Sequence, residues 1–270
     1  MKKAAGTFGK FILFFIVWAA GISLVFSLYE KPPAIAHHSA LLRLYWEATP
    51  LAMAIICTML AVVYLERKKV IVTISKRPLR DTLLGLGFGI GWIASVTFIL
   101  LSLGILTFDS AAHVSALPIW GVALFLNAAM EELLIRGYLF AMVRSAYNSA
   151  VAIIVTTTLF LALHGGAFDA GAIAVLNVIT MSLFVSLLLL WTEGLWAVIV
   201  AHYVWNMIAG VIMNGISLPA DYPSVLQISL HGSPWLSGGA AKIEGGVVTL
   251  GINLVLIGVT AFLLRHKRQS

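Results

Sequence analysis

Residues 172–191 read AIAVLNVITMSLFVSLLLLW, twenty positions without one charged side chain. A helix rises 1.5 Å per residue, so this run is about 30 Å long, the thickness of a bilayer's hydrocarbon core. Working outward, seven further apolar runs stand at roughly 8–29, 48–65, 82–107, 118–140, 150–164, 195–214 and 246–264. The run at 150–164 is shorter than the others. All are continuous rather than alternating, which argues against a membrane barrel. The expected fold is an all-α, polytopic transmembrane helical bundle. It has about eight membrane-spanning helices and forms a single integral-membrane domain over residues 1–270.

The rest of the composition agrees. Of the 270 residues, 61% are hydrophobic and 10% are charged, against about 25% charged in an ordinary soluble domain. This excludes a disordered chain and a nucleic-acid binder, despite a formal charge of +6. The position of the cations matters more than their sum. With eight crossings and a cytoplasmic N-terminus, Lys31, Arg43 and Lys242 fall outside and the other fourteen of the seventeen Lys and Arg fall inside. Both termini are therefore expected in the cytoplasm. The first run continues to Leu28, longer than the apolar segment of a signal peptide, and reads as a span rather than a cleaved leader.

Several features read as packing. Cys57 stands alone in an apolar run and is expected to be a small buried side chain. Gly85, Gly87, Gly89 and Gly91 form two overlapping Gly-x-x-x-Gly pairs, a spacing that lets helix backbones approach closely in lipid. The segment from about 215 to 245 holds Pro219, Pro223 and Pro234 and reads as an irregular outer cap with room for a small ordered piece.

The informative residues are those that ought to be costly. A charge at the bilayer centre costs about 3 kcal/mol or more, so it normally faces a protein interior or a wet cavity. Three runs hold nearly all such groups, and the other five show nothing comparable. The fourth carries Glu131, Glu132 and Arg136, the fifth ends in Phe160 and His164, and the seventh carries His202 and Asn206. Glu132 and Arg136 are four apart, share a helix face and can pair. Glu131 is turned by about 100° from Glu132. Phe160 with His164, and His202 with Asn206, also project together. If the three helices meet, Glu131, His164, His202 and Asn206 line one polar pocket.

The pattern Glu131-Glu132-x-x-x-Arg136, Phe160-x-x-x-His164 and His202-x-x-x-Asn206 resembles the CPBP family of intramembrane proteases. That family includes the type II CAAX prenyl endopeptidases and the bacterial Abi proteins. Each motif alone is weak. Together, in order and on three helices, they are specific, and they define a catalytic core at about 118–210. The resemblance implies hydrolysis of a peptide bond by a glutamate-activated water. By carry-over, Glu131 is the general base and His164 holds or orients the water. His202 and Asn206 donate to the oxyanion. Glu132 and Arg136 fix the helix that bears the base, and Phe160 is a pocket wall.

No cofactor is expected on the favoured reading. The alternative is a divalent metal such as zinc, held by Glu131, His164 and His202 with one position left for water. The expected partner is a membrane-anchored protein or peptide in the lipid bilayer, and the expected location is the cell membrane of a prokaryote. Two other functions stay open: a non-enzymatic scaffold or immunity-type protein on the same fold, and a proton-coupled transporter using the same titratable groups.

Overall fold

In lipid a backbone must satisfy its own hydrogen bonds, and this chain does so with helices. The structure, a computed structural model, describes residues 2–217, 219 and 221–269. Of the expectations above, Leu218 and Ala220 of the outer cap lie outside the described residues, as do the side chains of Lys2, Lys3 and Arg268. Six helical segments are long and apolar enough to cross a membrane: Ala5–Tyr29, Ser39–Leu65, Pro78–Ser102, Leu117–Ala146, Ala172–Thr192 and Gly239–Lys267. The fifth and seventh predicted runs are also helical, but shorter, at Ser149–Leu163 and Trp196–Ile212. The protein is an all-α integral membrane bundle with six helices of spanning length and two shorter apolar ones among the described residues.

The chain divides into two compact units, Met1–Ile74 with Ala116–Thr156, and Ser75–Ser115 with Thr157–Ser270. The first contains α1 (Lys2–Tyr29), α2 (Ser39–Leu60), α4 (Leu117–Glu132) and α5 (Phe140–Ala146). The second contains α3 (Pro78–Ser102), α7 (Gly166–Ala170), α8 (Ala172–Thr192), α9 (Trp196–Trp205), α10 (Pro234–Ser237) and α11 (Val247–Gln269). Helix α6 (Ser149–Leu163) begins in the first unit and ends in the second.

Ion pairs organise the first unit. Glu47, Glu66 and Glu132 are all buried, and each has a cation of the same unit against it. Arg43 Nη2 lies 2.5 Å from Glu47, Lys10 Nζ 2.9 Å from Glu66, and Arg136 Nη1 3.3 Å from Glu132. Two of these carboxylates also tie helices together. Asn127 Nδ2 on α4 donates to Glu47 on α2 at 3.1 Å, and the Tyr138 hydroxyl donates to Glu66 at 3.1 Å. Pairing of this kind is what allows a carboxylate to persist away from water.

Close backbone approach organises the second unit. A methyl group on Gly85 would meet Val200 Cβ at 2.6 Å and the Ala197 carbonyl oxygen at 2.7 Å. One on Gly89 would meet Val204 Cβ at 2.7 Å. These two glycines seat α3 on α9, the helix that carries His202. The expected second pair does not pack: Gly87 and Gly91 have nothing within 4 Å of an added Cβ. They lie two residues along the helix from their neighbours, about 200° around it. On either side of the glycines along α3, Trp196 Nε1 donates to Thr82 at 2.7 Å and Trp92 stacks on Trp205 with centroids 4.2 Å apart.

Several expectations need correction. The third apolar run does not stay helical to 107: α3 stops at Ser102, where Gly104 turns the chain at φ +66. Residues Leu106–Ala111 then form β1, antiparallel to β2 at Leu226–Leu230, with a bulge between Phe108 and Ser110. The outer cap is thus partly a two-stranded sheet. Nor are the polar residues confined to three helices. Helix α2 starts at Ser39 and α3 at Pro78, earlier than the apolar runs, so Arg43, Glu47 and Asp81 lie inside helices, with Glu47 and Asp81 buried. Cys57 is buried as expected.

Candidate active site

The Glu131 helix is not regular. Helix α4 ends at Glu132, and Leu133–Leu139 continues as a π-helix before α5. Every residue of that π segment is buried. A π turn holds one more residue than an α turn, so side chains beyond it are rotated relative to those before it. Such turns are rare and recur at functional sites. Here the change falls immediately after the carboxylate pair. Glu131 is half-buried, while Glu132 is fully buried and lies 3.3 Å from the Arg136 guanidinium, whose side chain is buried as completely. The four-residue spacing predicted this contact. Arg136 also lies within electrostatic reach of Glu131.

The second unit carries the two histidine motifs. His164 is not in a helix but in the turn just past the end of α6. Its backbone N–H bonds the Phe160 and Leu161 carbonyls, each at 3.1 Å. Its ring Nδ1 lies 2.9 Å from the Phe160 carbonyl oxygen. A carbonyl can only accept, so Nδ1 carries the proton. Nε2 is then the ring nitrogen available for other chemistry. The Phe160 ring, 1% exposed, contacts both imidazoles, with centroids 4.1 Å from His164 and 6.5 Å from His202.

His202 is buried in α9, and Asn206, also buried, follows one turn later. The Asn206 N–H bonds the His202 and Tyr203 carbonyls, closing α9. Asn206 is also the first residue of another π-helix, Asn206–Ile212, where the Met213 N–H reaches back five residues to the Ile208 carbonyl at 2.9 Å; a further π-helix, Ala61–Leu65, follows α2. Both the Glu-Glu-x-x-x-Arg and His-x-x-x-Asn motifs therefore sit at α-to-π junctions. No residue type in either stretch signals a π turn.

The first unit thus brings Glu131, Glu132 and Arg136 together, and the second gathers Phe160, His164 and His202 with Asn206 one turn on. Among the described residues, no group of three or more His, Cys, Asp or Glu side chains is placed to hold a metal ion. Sequence reasoning missed Glu47 and its contact with Asn127. Asn127 stands four residues before Glu131, on the same face of α4. The clue was available: Arg43 and Glu47 have pairing spacing just ahead of the second apolar run.

Residues 113–208 match the family model described as type II CAAX prenyl endopeptidase Rce1-like. That stretch contains every motif residue from Glu131 to Asn206. No curated protein and no solved structure matches the chain.

Proposed function

We propose, from the premise that residues 113–208 carry a type II CAAX prenyl endopeptidase Rce1-like domain, that the protein is an intramembrane endopeptidase. It hydrolyses a peptide bond of a membrane-anchored protein or peptide. The observation that carries this reading is the extent of the match, which encloses all three motifs. The apolar helices support a membrane setting.

In the proposed reaction Glu131 takes a proton from a water molecule, and the water oxygen attacks the peptide carbonyl carbon. Water is a weak nucleophile, and a positioned base commonly contributes about 10²–10⁴-fold to such a step. His164 holds the same water through Nε2, consistent with an Nδ1 already committed to the Phe160 carbonyl. The carbonyl becomes a tetrahedral oxyanion, to which His202 and Asn206 donate hydrogen bonds. Pre-set donors of this kind are each worth about 10²–10³ in rate. When the intermediate collapses, the C–N bond breaks. The proton held by Glu131 passes to the departing amine. Glu132 and Arg136 are positioning residues: their buried pair fixes the turn that follows the base. No step passes through a metal.

The experiment is cleavage of a membrane-anchored peptide by the purified protein in liposomes, comparing the native chain with Glu131→Gln and Glu131→Ala, each with and without a chelator. The proposal predicts chelator-resistant cleavage that both substitutions abolish. Full activity in both variants would refute a base at Glu131. Chelator-sensitive activity restored by zinc would refute the metal-free mechanism.

A further inference from the structure

The second unit holds a cavity of about 350 Å³ where α3 begins and α8 and α11 end, and it takes no part in the chemistry proposed above. Lys76, Arg77, Arg80, Asp81, Trp191 and His266 are among its lining residues. Its level is defined by three spans, Pro78–Ser102, Ala172–Thr192 and Gly239–Lys267, which begin or end there. The cavity therefore sits where apolar helix gives way to water, at the depth of lipid headgroups.

The charges sort themselves. Lys76 Nζ lies 2.7 Å and Lys267 Nζ 3.1 Å from Glu193, so two cations are committed to one carboxylate. Those two hydrogen bonds hold the Glu193 carboxyl down at about 2, so it stays ionised at neutral pH. Arg77 and Arg80 have no carboxylate partner among the described residues. The Arg80 guanidinium carbon instead stands 5.5 Å from the Trp191 ring centroid, a cation–π arrangement that holds it against the cavity wall. They also occupy the start of a 25-residue helix, where backbone N–H groups favour an anion.

One lining group asks for the opposite. Asp81 is 1% exposed. Its Oδ2 accepts from Ser75 Oγ at 2.6 Å, but its Oδ1 is buried with no donor. Leaving such an oxygen unsatisfied costs about 1–3 kcal/mol. The cavity thus offers two arginines to an anion, and its lining includes a carboxylate, Asp81, whose Oδ1 lacks a hydrogen-bond donor. A phosphodiester carrying a hydroxyl group answers both. Leu263 also lines the cavity and supplies an apolar surface for the acyl-chain end.

We infer that this cavity binds the headgroup of an anionic glycerophospholipid, with its phosphate on Arg77 and Arg80 and its hydroxyl donating to Asp81. Clusters of basic residues at the ends of membrane helices recognise anionic headgroups in this way, each worth about 1 kcal/mol. The site stands apart from the protease reading, because binding needs no substrate and no turnover.

The test is lipid binding to the full chain in detergent, read by native mass spectrometry. Phosphatidylglycerol is compared with phosphatidylcholine and phosphatidic acid, and with inorganic phosphate as a soluble competitor. We expect phosphatidylglycerol to bind about tenfold more tightly than either other lipid, and millimolar phosphate not to displace it. The double variant R77Q/R80Q should lose about 30-fold, from two contacts of that size. R265Q, which removes a cation from the same end of α11 outside the cavity, should change binding less than twofold. D81L, which removes the acceptor oxygens, should erase the preference over phosphatidic acid. Equal binding of all three lipids, displacement by phosphate, or an R265Q loss equal to that of R77Q/R80Q would overturn the inference. If the double variant fails to fold, the lipid series on the native chain still decides it.

Discussion

The ring Nδ1 of His164 donates to the carbonyl oxygen of Phe160, four residues earlier, at 2.9 Å. One hydrogen bond at the end of α6 thereby fixes which imidazole nitrogen is left for chemistry. The proposed mechanism uses Nε2, and this can be read out by amide mimicry. A glutamine amide reaches about as far as Nε2 and an asparagine amide about as far as Nδ1. His164→Ala is expected to lower the cleavage rate by about 10², the scale of one lost polar contact to the reacting centre. His164→Gln should retain at least tenfold more activity than His164→Asn. Equal rates for the two amides would show that the choice of nitrogen does not matter.

The Glu132–Arg136 pair separates structure from chemistry. Both side chains are fully buried, and removing one partner leaves an uncompensated charge, a loss of about 3–5 kcal/mol. Glu132→Ala should therefore unfold at markedly lower denaturant. Replacing both residues with apolar ones of similar volume should recover most of that loss. Glu131→Gln, by contrast, should leave stability within about 1 kcal/mol while removing activity. Denaturation of all three variants, monitored by tryptophan fluorescence, distinguishes the roles.

Helix α3 supports α9 through Gly85 and Gly89, so the support can be weakened from a helix that carries no motif residue. Gly85→Ala places a methyl 2.6 Å from Val200 Cβ and 2.7 Å from a backbone oxygen. Neither can withdraw freely, and about 1–3 kcal/mol of destabilisation is expected. Gly87→Ala, two residues on, meets nothing within 4 Å and should be neutral or mildly stabilising, because alanine favours the helix. A thermal melt of the two variants side by side checks the assignment. Similar losses in both would mean that glycine flexibility, not close packing, is what α3 needs.

The sequence made these helices legible because lipid as solvent demands long apolar runs, and each of the eight runs overlaps a helix, although the third outlasts its own. It made the Glu132–Arg136 contact legible because four-residue spacing is a geometric constraint. The strand pairing of Leu106 with Leu230 was hidden, since β1 begins inside what reads as the tail of an apolar run. Arg43, Glu47 and Asp81 were misplaced for a related reason. Hydropathy locates the apolar part of a helix, and buried ion pairs extend the helix beyond it. The π turns at Leu133–Leu139 and Asn206–Ile212 had no signature, because one extra residue per turn alters the hydrogen-bond register without changing composition. The tautomer of His164 depends on where α6 ends, which no residue in Phe160–His164 announces.

The central claim is that Glu131 activates water for peptide hydrolysis. The most direct measurement is single-turnover cleavage of a membrane-anchored peptide in H₂¹⁸O, comparing the native protein with Glu131→Gln at matched folded concentration. The account predicts one ¹⁸O atom in the new carboxylate with the native enzyme and a rate lower by about 10²–10⁴ with the variant. Cleavage by Glu131→Gln at the native rate would contradict it.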